Sequence, residues 1–465
     1  MADFDFARSP VEVPRVETAF RRIATAIPVP DSLPVLESLY RHESRSMHGQ
    51  MPIVWDRAKD FQVFDKWGNC WIDFTSTIFV ANAGHANERI LKALRDTLDQ
   101  ELLHTYTYAS DIRARFLETL IDMTPAELQK AYLVSAGTEA TETAVKLMRL
   151  YAQRRHKKRP GIIAFDGSFH GRTMGAAQIS GTPAQRDWVG FEDPNVYHLP
   201  FPYPWDENGA QINENGVIRF ERDIEALHRQ GIDPARDIGG IIFESYIGWS
   251  AAFFPEDYVQ AWARLAAEKD FLVTFDEIQS GFGRTGRLFA YQHYGVTPDL
   301  ICCGKGISSS LPLAAVLGRA DVMDLPDVGS MSSTHSANPM SCAAGLANLT
   351  AIREMGLVER SAAMGDKLHR RLTELQRRYP DHIPHILGKG MLAALIIDDP
   401  ETENGGGGLA SRICESALRK GLLLVHTGRE SIKIGPPLSI PEPALMEGLE
   451  VLEQAIAETV TGQHR

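Results

Sequence analysis

The sequence of 465 residues has a formal net charge of −12 at pH 7, with 44% hydrophobic and 23% charged residues. This composition is typical of a globular enzyme and excludes extended disorder, while the length favours two domains or one large domain with a satellite. The negative charge argues against a general nucleic-acid-binding protein, because no basic excess is present to neutralise phosphates.

The N-terminal segment, residues 1–85, is predicted to form an arm and part of a small domain. Residues 1–50 are polar and interrupted by prolines, with one helix predicted at 32–46, and we expect them to wrap a neighbouring subunit or the second domain. Two apolar runs, 61–64 and 71–74, flank a turn that contains Gly68 and therefore predict a β-hairpin. A loop of small residues follows at 75–85.

Residues 86–345 alternate between helical segments and short apolar runs, which is typical of strands that crossover helices bury on both faces. Helices are predicted at 90–103, 112–123, 139–154 and 258–269. Strands are predicted at 131–134, 162–165, 241–243, 271–275, 300–303 and 314–317. We therefore predict a large α/β domain with a mostly parallel sheet. The basic cluster 154–159 is interpreted as a solvated helix end rather than a nucleic-acid contact.

Residues 346–465 are predicted to form a smaller α+β domain, which follows a helix at 339–355. Further helices are predicted at 364–378, 409–420 and 441–459, with strand-like runs at 392–397 and 422–425. The glycine run 405–408 is interpreted as a flexible surface loop rather than a phosphate cradle, because no strand directly precedes it and no Lys-Ser/Thr pair closes it.

The five cysteines show neither paired spacing nor a zinc-site pattern, so no metal is expected. Cys302 and Cys303 are adjacent in an apolar run and are predicted to be small buried hydrophobes. No run reaches the roughly 20 apolar residues that a membrane span requires. Residues 1–5 are acidic and show no signal-peptide pattern. We therefore expect a cytoplasmic protein without a membrane partner.

Two polar residues follow apolar runs in the centre of the sequence. Asp276 follows the run 271–275, and Lys305 lies between two glycines after the run 300–303. Because ligands bind at the carboxyl ends of strands in open parallel sheets, we expect both side chains at one binding edge. An amine and an anion suit a pyridine cofactor that needs a Schiff-base lysine and a charged partner for its ring nitrogen. The alternatives are a solvated loop for Lys305 and a helix N-cap for Asp276.

Two further stretches fit such a site. Residues 133–140 are predicted to form a strand, a turn of small residues and a helix start, where exposed N–H groups bind phosphate well. The alternative is a plain capping motif with Thr138 as the cap. Phe169 follows the run 162–165 in a polar loop and could stack on a flat ring, although a lone aromatic residue is more often part of a core.

These motifs resemble the class III aminotransferases, the pyridoxal-phosphate (PLP) enzymes that include the ornithine, 4-aminobutyrate and ω-amino acid:pyruvate aminotransferases. The most specific portion is Phe-Asp-Glu-Ile-Gln-Ser-Gly-Phe-Gly-Arg-Thr-Gly at 275–286, followed by Pro-Asp-Leu at 298–300 and Gly-Lys-Gly at 304–306. The resemblance extends from about Gly49 to Gln454. It implies the aspartate-aminotransferase-like fold (fold type I), with a large PLP-binding domain and a smaller α+β domain.

The resemblance also implies roles for individual residues. Lys305 and Asp276 would be catalytic, because Lys305 would form the Schiff base with the cofactor and Asp276 would pair with the ring nitrogen. The cofactor-binding set would be completed by Gly137, Thr138, Phe169, His170, Glu244, Ile278, Gln279 and Thr334. Gly137 and Thr138 would hold the phosphate, and Thr334 would reach the phosphate of the neighbouring subunit. The resemblance therefore implies a homodimer or a larger even homo-oligomer.

The sequence departs from this family at positions that would contact the substrate. In relatives that use 2-oxoglutarate, an arginine shortly before Pro-Pro-Leu binds the α-carboxylate, and Lys433 stands at that position here. Because lysine lacks the planar fork of arginine, Lys433 either binds a carboxylate as a point charge or is only a strand residue. Arg429 is a candidate substitute. Trp249 adds bulk, and Ile78 and Phe79 replace small residues, so substrate binding is assigned to Ile78, Phe79, Trp249 and Lys433.

We therefore expect a PLP-dependent aminotransferase that moves an amino group from an amine or amino acid to a 2-oxo acid such as pyruvate or 2-oxoglutarate. The amino group that is transferred can also be an ω-amino group. The mechanism would be ping-pong, in two half-reactions. One alternative within the same cofactor chemistry is an amino-acid racemase or epimerase, or a decarboxylating transaminase. The other is a non-catalytic binding protein on the same fold, against which the presence of Lys305 and Asp276 argues.

Overall fold

The computed structural model describes residues 6–205, 212, 214–401 and 407–461. The strands are β1 (Val16–Glu17), β2 (Arg22–Ile23), β3 (Arg57–Lys59), β4 (Gln62–Phe64), β5 (Cys70–Asp73), β6 (Lys130–Val134), β7 (Gly161–Phe165), β8 (Val196–Leu199), β9 (Ile238–Glu244), β10 (Leu272–Asp276), β11 (Leu300–Cys303), β12 (Ala314–Gly318), β13 (His385–Leu387), β14 (Ala393–Ile396), β15 (Leu422–Leu423), β16 (Val425–His426) and β17 (Ser431–Ile434). The helices are α1 (Leu33–His42), α2 (Glu88–Asp99), α3 (Asp111–Asp122), α4 (Gly137–Arg154), α5 (Met174–Ile179), α6 (Gly216–Arg229), α7 (Pro234–Asp237), α8 (Glu256–Lys269), α9 (Ala320–Met323), α10 (Pro339–Glu354), α11 (Leu357–Arg378), α12 (Gly407–Arg419) and α13 (Glu442–Thr461).

Two predictions fall wholly or partly on residues outside these ranges. The signal-peptide prediction rests on residues 1–5, which lie outside the described residues. The first half of the glycine run, 405–406, also lies outside them, whereas Gly407 and Gly408 begin helix α12.

The chain divides into two compact units. The smaller unit comprises residues 1–87, 249–251 and 359–465, and the larger unit comprises residues 88–248 and 252–358. The N-terminal and C-terminal parts of the chain therefore build one unit, and the middle of the chain builds the other.

The larger unit contains a seven-stranded sheet with the strand order β6-β12-β11-β10-β9-β7-β8. Its pairings from β8 to β11 are parallel, whereas β12 is antiparallel to both β6 and β11. Strands β9 and β10 are buried at every residue, because helices such as α4 pack on the sheet and leave no solvated face. The predicted mostly parallel sheet is confirmed. The short edge strand β8 was not predicted from the sequence.

The smaller unit contains two further sheets. The first has the order β1-β2-β5-β4-β3, with β15 added beside β5, and includes the predicted hairpin as the antiparallel pair β4 and β5. Strand β15, from the C-terminal part of the chain, pairs in parallel with β5 through Leu422 and Ile72. The second sheet has the order β13-β14-β17-β16.

Residues Ser76–Phe79 form a left-handed turn, with φ values of 46°, 52°, 60° and 65° in chain order. Such a conformation costs roughly 1–2 kcal/mol for each residue other than glycine. Hydrogen bonds hold the turn, because the Ser76 hydroxyl donates to the Gly435 carbonyl at 2.7 Å and the Val80 N–H donates to the Ser76 carbonyl at 2.8 Å. The sequence indicated only a loop at this place.

The structure also bears on the cysteines, on metal sites and on membrane-spanning helices. Cys302 and Cys303 are buried, as predicted, and all five cysteines are buried and free. Over the described ranges, no group of His, Cys, Asp or Glu side chains is arranged to hold a metal ion. Likewise, no helix in the described part of the chain is long and apolar enough to cross a membrane.

Candidate active site

A cavity of about 300 Å³ lies in the larger unit, beside the carboxyl ends of β10 and β11. This volume falls at the lower end of the roughly 300–1,000 Å³ that small-molecule sites occupy. Its lining consists of Gly137, Thr138, Phe169, His170, Gly171, Arg172, Glu244, Tyr246, Asp276, Ile278, Gln279, Ser280 and Lys305. The cavity therefore brings together every predicted cofactor-binding residue except Thr334.

Asp276 is the last residue of β10, and its carboxylate is buried at the cavity wall. Its Oδ2 lies 2.8 Å from Nδ1 of His170, and its Oδ1 accepts the Ile278 N–H at 3.0 Å. These two contacts fix the orientation of the carboxylate. The interpretation of Asp276 as a helix N-cap is wrong, because turns and not a helix follow β10.

Lys305 follows β11 and begins a short 3-10 turn, with a φ of 43°. The turn is held from helix α10, since the buried Asn348 amide donates to the carbonyls of Gly306 at 2.8 Å and Ile307 at 3.0 Å. Burial lowers the pKa of the Lys305 amine, while the nearby carboxylates of Asp276 and Glu244 act in the opposite direction. The interpretation of Lys305 as a solvated loop residue is wrong, because its side chain lines the cavity.

The start of helix α4 forms one end of the cavity. Gly137 and Thr138 lie in the first helical turn, where backbone N–H groups have no intrahelical acceptor. The Glu139 carboxylate accepts the N–H groups of Ser135 at 2.8 Å and Ala136 at 2.9 Å, and so fixes the turn before the helix. Thr138 is not the cap of this helix, which begins after Ala136. The N–H groups of Gly137 and Thr138 make this end suitable for an anion.

Phe169 and Ile278 supply the apolar walls of the cavity. Phe169 is 39% exposed, so it is not the core residue that the alternative interpretation proposed. The Ile278 side chain packs closely against backbone, because a Cβ on Gly137 would lie 3.0 Å from its Cδ1 and a Cβ on Gly304 would lie 3.1 Å from its Cγ2. Glycine at 137 and 304 therefore leaves the room that Ile278 needs.

Glu244 is a buried carboxyl group at the end of β9. Its Oε2 accepts the Phe169 N–H at 3.1 Å. Burial raises the pKa of Glu244 to about 7; His170 opposes this rise and Asp276 adds to it. Burial therefore favours the protonated form of this carboxyl group compared with an ordinary glutamate.

Several residues of the site were not predicted from the sequence. Arg172 lines the cavity, and its guanidinium carbon lies 5.4 Å from the centre of the Phe169 ring. Tyr246 and Ser280 also line it. The signal for Arg172 was its place two residues after His170 in the polar loop, whereas Tyr246 carried no local signal.

Glu277, directly after Asp276, is a second buried acid, for which the sequence indicated no role of its own. Its carboxylate accepts hydrogen bonds from the Ser245 hydroxyl at 2.7 Å, the Tyr291 N–H at 2.7 Å and the Ala290 N–H at 2.9 Å. The Ser280 hydroxyl is a fourth donor. Because this acid is saturated by the fold, we assign it a structural role beside the site.

The predicted substrate-binding residues belong to the smaller unit. Ile78 is exposed, whereas Phe79 is fully buried. The Lys433 amine lies 4.4 Å from the centre of the Phe79 ring, so two of the four predicted residues contact each other. The guanidinium carbon of Arg429 lies 4.0 Å from the centre of the Trp249 ring.

Thr334 does not line the cavity of its own chain. It is exposed in the loop before helix α10, and its carbonyl accepts a hydrogen bond from His104 Nε2 at 2.9 Å. Its contact with a phosphate in a neighbouring subunit stays a prediction.

The cavity residues fit a phosphorylated pyridine aldehyde. The helix start at Gly137 suits a phosphate, and Phe169 and Ile278 suit the two faces of a ring. The Asp276 carboxylate suits a ring nitrogen that carries a proton, and the Lys305 amine suits an aldehyde. The buried His170 Nε2 atom has no hydrogen-bond partner among the residues that the structure describes, so it can still form a hydrogen bond with a bound ligand.

Comparison with known proteins gives consistent matches over nearly the whole chain. A sequence profile for a family described as "Aminotransferase class-III" matches residues 44–456. The 4-aminobutyrate aminotransferase of Mycobacterium leprae is 30% identical over 448 residues, which cover 94% of this chain and 98% of that protein. The leucine/methionine racemase of Thermococcus litoralis is 31% identical over 426 residues, which cover 89% and 92%. The structure of an (S)-enantioselective omega-transaminase from Thermomicrobium roseum is similar with a TM-score of 0.81 and 26% identity, covering 92% of this chain and 98% of that chain.

Proposed function

The chain belongs to the class III aminotransferase family and is a PLP-dependent enzyme of fold type I, and from this premise we propose that Lys305 and Asp276 carry its chemistry. The reaction transfers an amino group from an amine or amino acid to a 2-oxo acid. The observation that carries the residue assignment is the position of both side chains in one cavity, after the neighbouring strands β10 and β11.

When bound, PLP supplies an aldehyde that condenses with amines and a ring that withdraws electrons from the substrate carbon. Lys305 would hold the cofactor through its amine and would move protons at the substrate carbon. Because burial lowers the pKa of its amine, a larger fraction of Lys305 is neutral at physiological pH. The neutral Nζ can then take the proton from the substrate carbon that bears the amino group.

Asp276 and His170 act together in this proposal. The Asp276 carboxylate would face the ring nitrogen, and the hydrogen bonds from His170 Nδ1 and the Ile278 N–H hold it in place. A fixed anion at this position needs no rearrangement during the reaction. The backbone N–H groups of Gly137 and Thr138 would bind the phosphate.

The position of Arg172 in the cavity lining favours a substrate that carries a carboxylate. It lies in the cavity lining with Lys305, and its fork of N–H donors matches the geometry of a carboxylate. An amino acid and a 2-oxo acid each provide such a group. We therefore propose that Arg172 orients the substrate within the cavity of the larger unit.

We propose a homodimer or a larger even oligomer in which Thr334 serves the neighbouring site. Leu103, Tyr106 and Tyr108 expose apolar side chains. This segment adjoins the loop of Thr334, because the Asn338 amide donates to the Leu103 carbonyl at 2.7 Å. Exposed apolar groups of this kind are typical of a contact between subunits. Free, buried cysteines further support a reducing compartment such as the cytoplasm.

Racemisation is the second candidate function, because one relative at 31% identity is a leucine/methionine racemase. It would use the same Lys305 amine, but the proton would return to the carbon from which it came. A racemase of this kind needs no 2-oxo acid, so the two functions differ in their dependence on an acceptor.

The test is a single half-reaction. The PLP-loaded enzyme is mixed with single amine donors in the absence of any oxo acid, and the cofactor absorbance and the products are followed. Aminotransfer predicts conversion of the cofactor to pyridoxamine phosphate with one equivalent of carbonyl product. Accumulation of the opposite enantiomer or an epimer, with no pyridoxamine phosphate, would instead establish racemisation or epimerisation.

A further inference from the structure

The hydroxyl of Tyr246 is a buried polar group without a partner in the described part of the chain. Tyr246 is 1% exposed and lines the candidate cofactor cavity of the larger unit. Its hydroxyl oxygen is buried and has no hydrogen-bond partner among the described residues. The hydroxyl of Tyr294, which is equally buried, donates instead to the Ser245 carbonyl at 2.6 Å. Because a buried hydroxyl without a partner is costly, we expect Tyr246 to find its partner in a bound molecule.

The neighbours of Tyr246 hold its ring in place. The residue before it is fixed, because the Ser245 hydroxyl donates to the Glu277 carboxylate at 2.7 Å. The Tyr246 ring itself packs against the ring of Phe253, with 5.4 Å between the ring centres. Backbone and ring are therefore both constrained, so a rotation of this side chain toward another part of the protein is not the expected way to satisfy its hydroxyl.

The hydroxyl is a hydrogen-bond donor at physiological pH. Burial raises the pKa of the Tyr246 phenol well above its ordinary value. The Arg284 guanidinium opposes this rise in pKa, whereas the carboxyl groups of Glu244 and Glu277 add to it. The phenol therefore keeps its proton. A donor of this kind selects a ligand atom that accepts, and a negatively charged oxygen gives the strongest hydrogen bond.

The order of the strands places Tyr246 on one side of the proposed cofactor. Strand β6 leads into helix α4, the proposed phosphate end, whereas β9 leads to Tyr246. In the sheet these two strands lie on opposite sides of β10 and β11, which lead to Asp276 and Lys305. The PLP ring carries its nitrogen and its aldehyde at opposite positions, with the phosphate arm on one side of the line between them and the hydroxyl on the other. A ring held by Asp276, Lys305 and α4 would therefore turn its hydroxyl toward β9 and Tyr246.

We propose that Tyr246 is a further cofactor-binding residue, whose hydroxyl donates a hydrogen bond to the ring oxygen of bound PLP. The inference rests on the proposed PLP site and identifies a group that recognises the ring hydroxyl. The ring oxygen is the acceptor that this position favours, because the phosphate would lie at α4 and the ring nitrogen would face Asp276. The hydrogen bond would hold the ring by an edge that neither Asp276 nor Lys305 contacts.

The experiment compares PLP with 3-deoxypyridoxal phosphate, an analogue that lacks only the ring oxygen. The dissociation constants of both ligands are measured by titration of the cofactor-free wild type, Tyr246→Phe and Tyr291→Phe. Tyr246→Phe removes one oxygen and keeps the ring against Phe253. Tyr291→Phe is the matched control, because its hydroxyl is also buried without a partner in the described ranges, but the residue is not part of the cavity lining. Lys305 can react with both ligands, so the ratio of their dissociation constants isolates the ring oxygen.

We expect Tyr246→Phe to bind PLP about tenfold more weakly than the wild type or worse, because a hydrogen bond to a charged oxygen is lost. Its affinity for the deoxy analogue should equal that of the wild type, since the analogue offers no acceptor there. Tyr291→Phe should match the wild type for both ligands. The melting temperature of cofactor-free Tyr246→Phe should equal or exceed that of the wild type, because the variant loses a buried hydroxyl that had no partner.

Three results would overturn the inference. The first is an unchanged affinity of Tyr246→Phe for PLP; a higher KM for the amine donor in that case would identify the substrate as the partner. The second is an equal loss of affinity for PLP and for the analogue. The third is a lower melting temperature of the cofactor-free variant, or a failure to fold, which would show that the hydroxyl already has a partner in the protein. The proposed function fails separately, if the wild type binds PLP but transfers an amino group from no donor.

Discussion

Nδ1 of His170 and Oδ2 of Asp276 lie 2.8 Å apart, and both side chains are buried beside the candidate cofactor cavity. A carboxylate oxygen accepts, so Nδ1 donates in this contact. The imidazole thereby fixes one oxygen of the proposed partner for the ring nitrogen, while the Ile278 N–H fixes the other. We therefore propose that His170 is a positioning residue that acts through Asp276.

Replacement of His170 by Phe should lower kcat by about 10- to 100-fold, because a hydrogen bond to a charged group contributes about 1.5–3 kcal/mol. The KM for the amine donor should change much less. His170→Gln is the matched variant, since its amide can still donate, and it should recover part of the loss. Equal kcat values in His170→Phe and the wild type would contradict the assigned role.

Replacement of Lys305 by Ala should reduce turnover about 10³-fold or more, because the chain loses both its attachment point and its proton carrier. Lys305→Arg should be similarly inactive, since a guanidinium stays protonated at neutral pH. Added methylamine should restore part of the proton transfer in Lys305→Ala. Circular dichroism checks that the fold is kept, and substantial turnover in Lys305→Ala would refute the assignment.

Replacement of Asn348 by Leu should destabilise the protein by about 2–4 kcal/mol, because two buried carbonyls in the turn of Lys305 lose their donor. Thr350→Ala is a matched control on the same helix, since the Thr350 hydroxyl donates to the Leu346 carbonyl within α10 and has no other hydrogen bond to the described part of the chain. Urea denaturation measures both effects. Comparable stability losses in the two variants would show that the turn does not depend on Asn348.

Replacement of Glu244 by Gln should change how stability depends on pH. In the cofactor-free protein the folded-state pKa of Glu244 is about 7, above the ordinary value of 4.5. As the pH rises from 4.5 to about 7, Glu244 loses its proton in the unfolded chain before it does so in the folded protein. The stabilisation of the wild type by the protonated Glu244, which is fully present below pH 4.5, is therefore lost by about pH 7. Glu244→Gln should therefore gain up to about 3 kcal/mol over the wild type between pH 4.5 and 8.

Urea denaturation at both ends of this pH range measures the Glu244 effect. The exposed Glu268→Gln is the control, and it should follow the pH dependence of the wild type. A constant difference between Glu244→Gln and the wild type at all pH values would show that the buried carboxyl is not protonated in this range.

Mixed oligomers test whether Thr334 acts in the neighbouring site. Lys305→Ala subunits are combined with Thr334→Ala subunits, and PLP affinity and activity are measured. If Thr334 serves the neighbour, each hybrid pair contains one site with both native residues and regains tight PLP binding with activity. If Thr334 serves its own chain, no native site forms and the hybrids stay as weak as the separate variants.

The central pair of the site could be predicted from the sequence because its signal is local. Asp276 and Lys305 each follow an apolar run, and runs of this kind become parallel strands whose carboxyl ends share one edge. The glycine pair around Lys305 and the start of α4 at Gly137 are also readable within a few residues of sequence. The local pattern therefore suffices for six of the seven strands of the sheet, for the helix start and for the two candidate catalytic groups.

The positioning contacts depended on the tertiary structure, because they join residues that are distant in the chain. His170 and Asp276 are 106 residues apart, and no local pattern indicates that their side chains meet. Asn348 reaches the Lys305 turn from another helix, and Phe79 covers Lys433 from a left-handed turn that its non-glycine residues would not by themselves adopt. The sequence by itself indicated the groups that we propose to carry the chemistry. Packing between distant elements decided which of them are held, buried or covered, since burial and side-chain contact arise only when the elements come together.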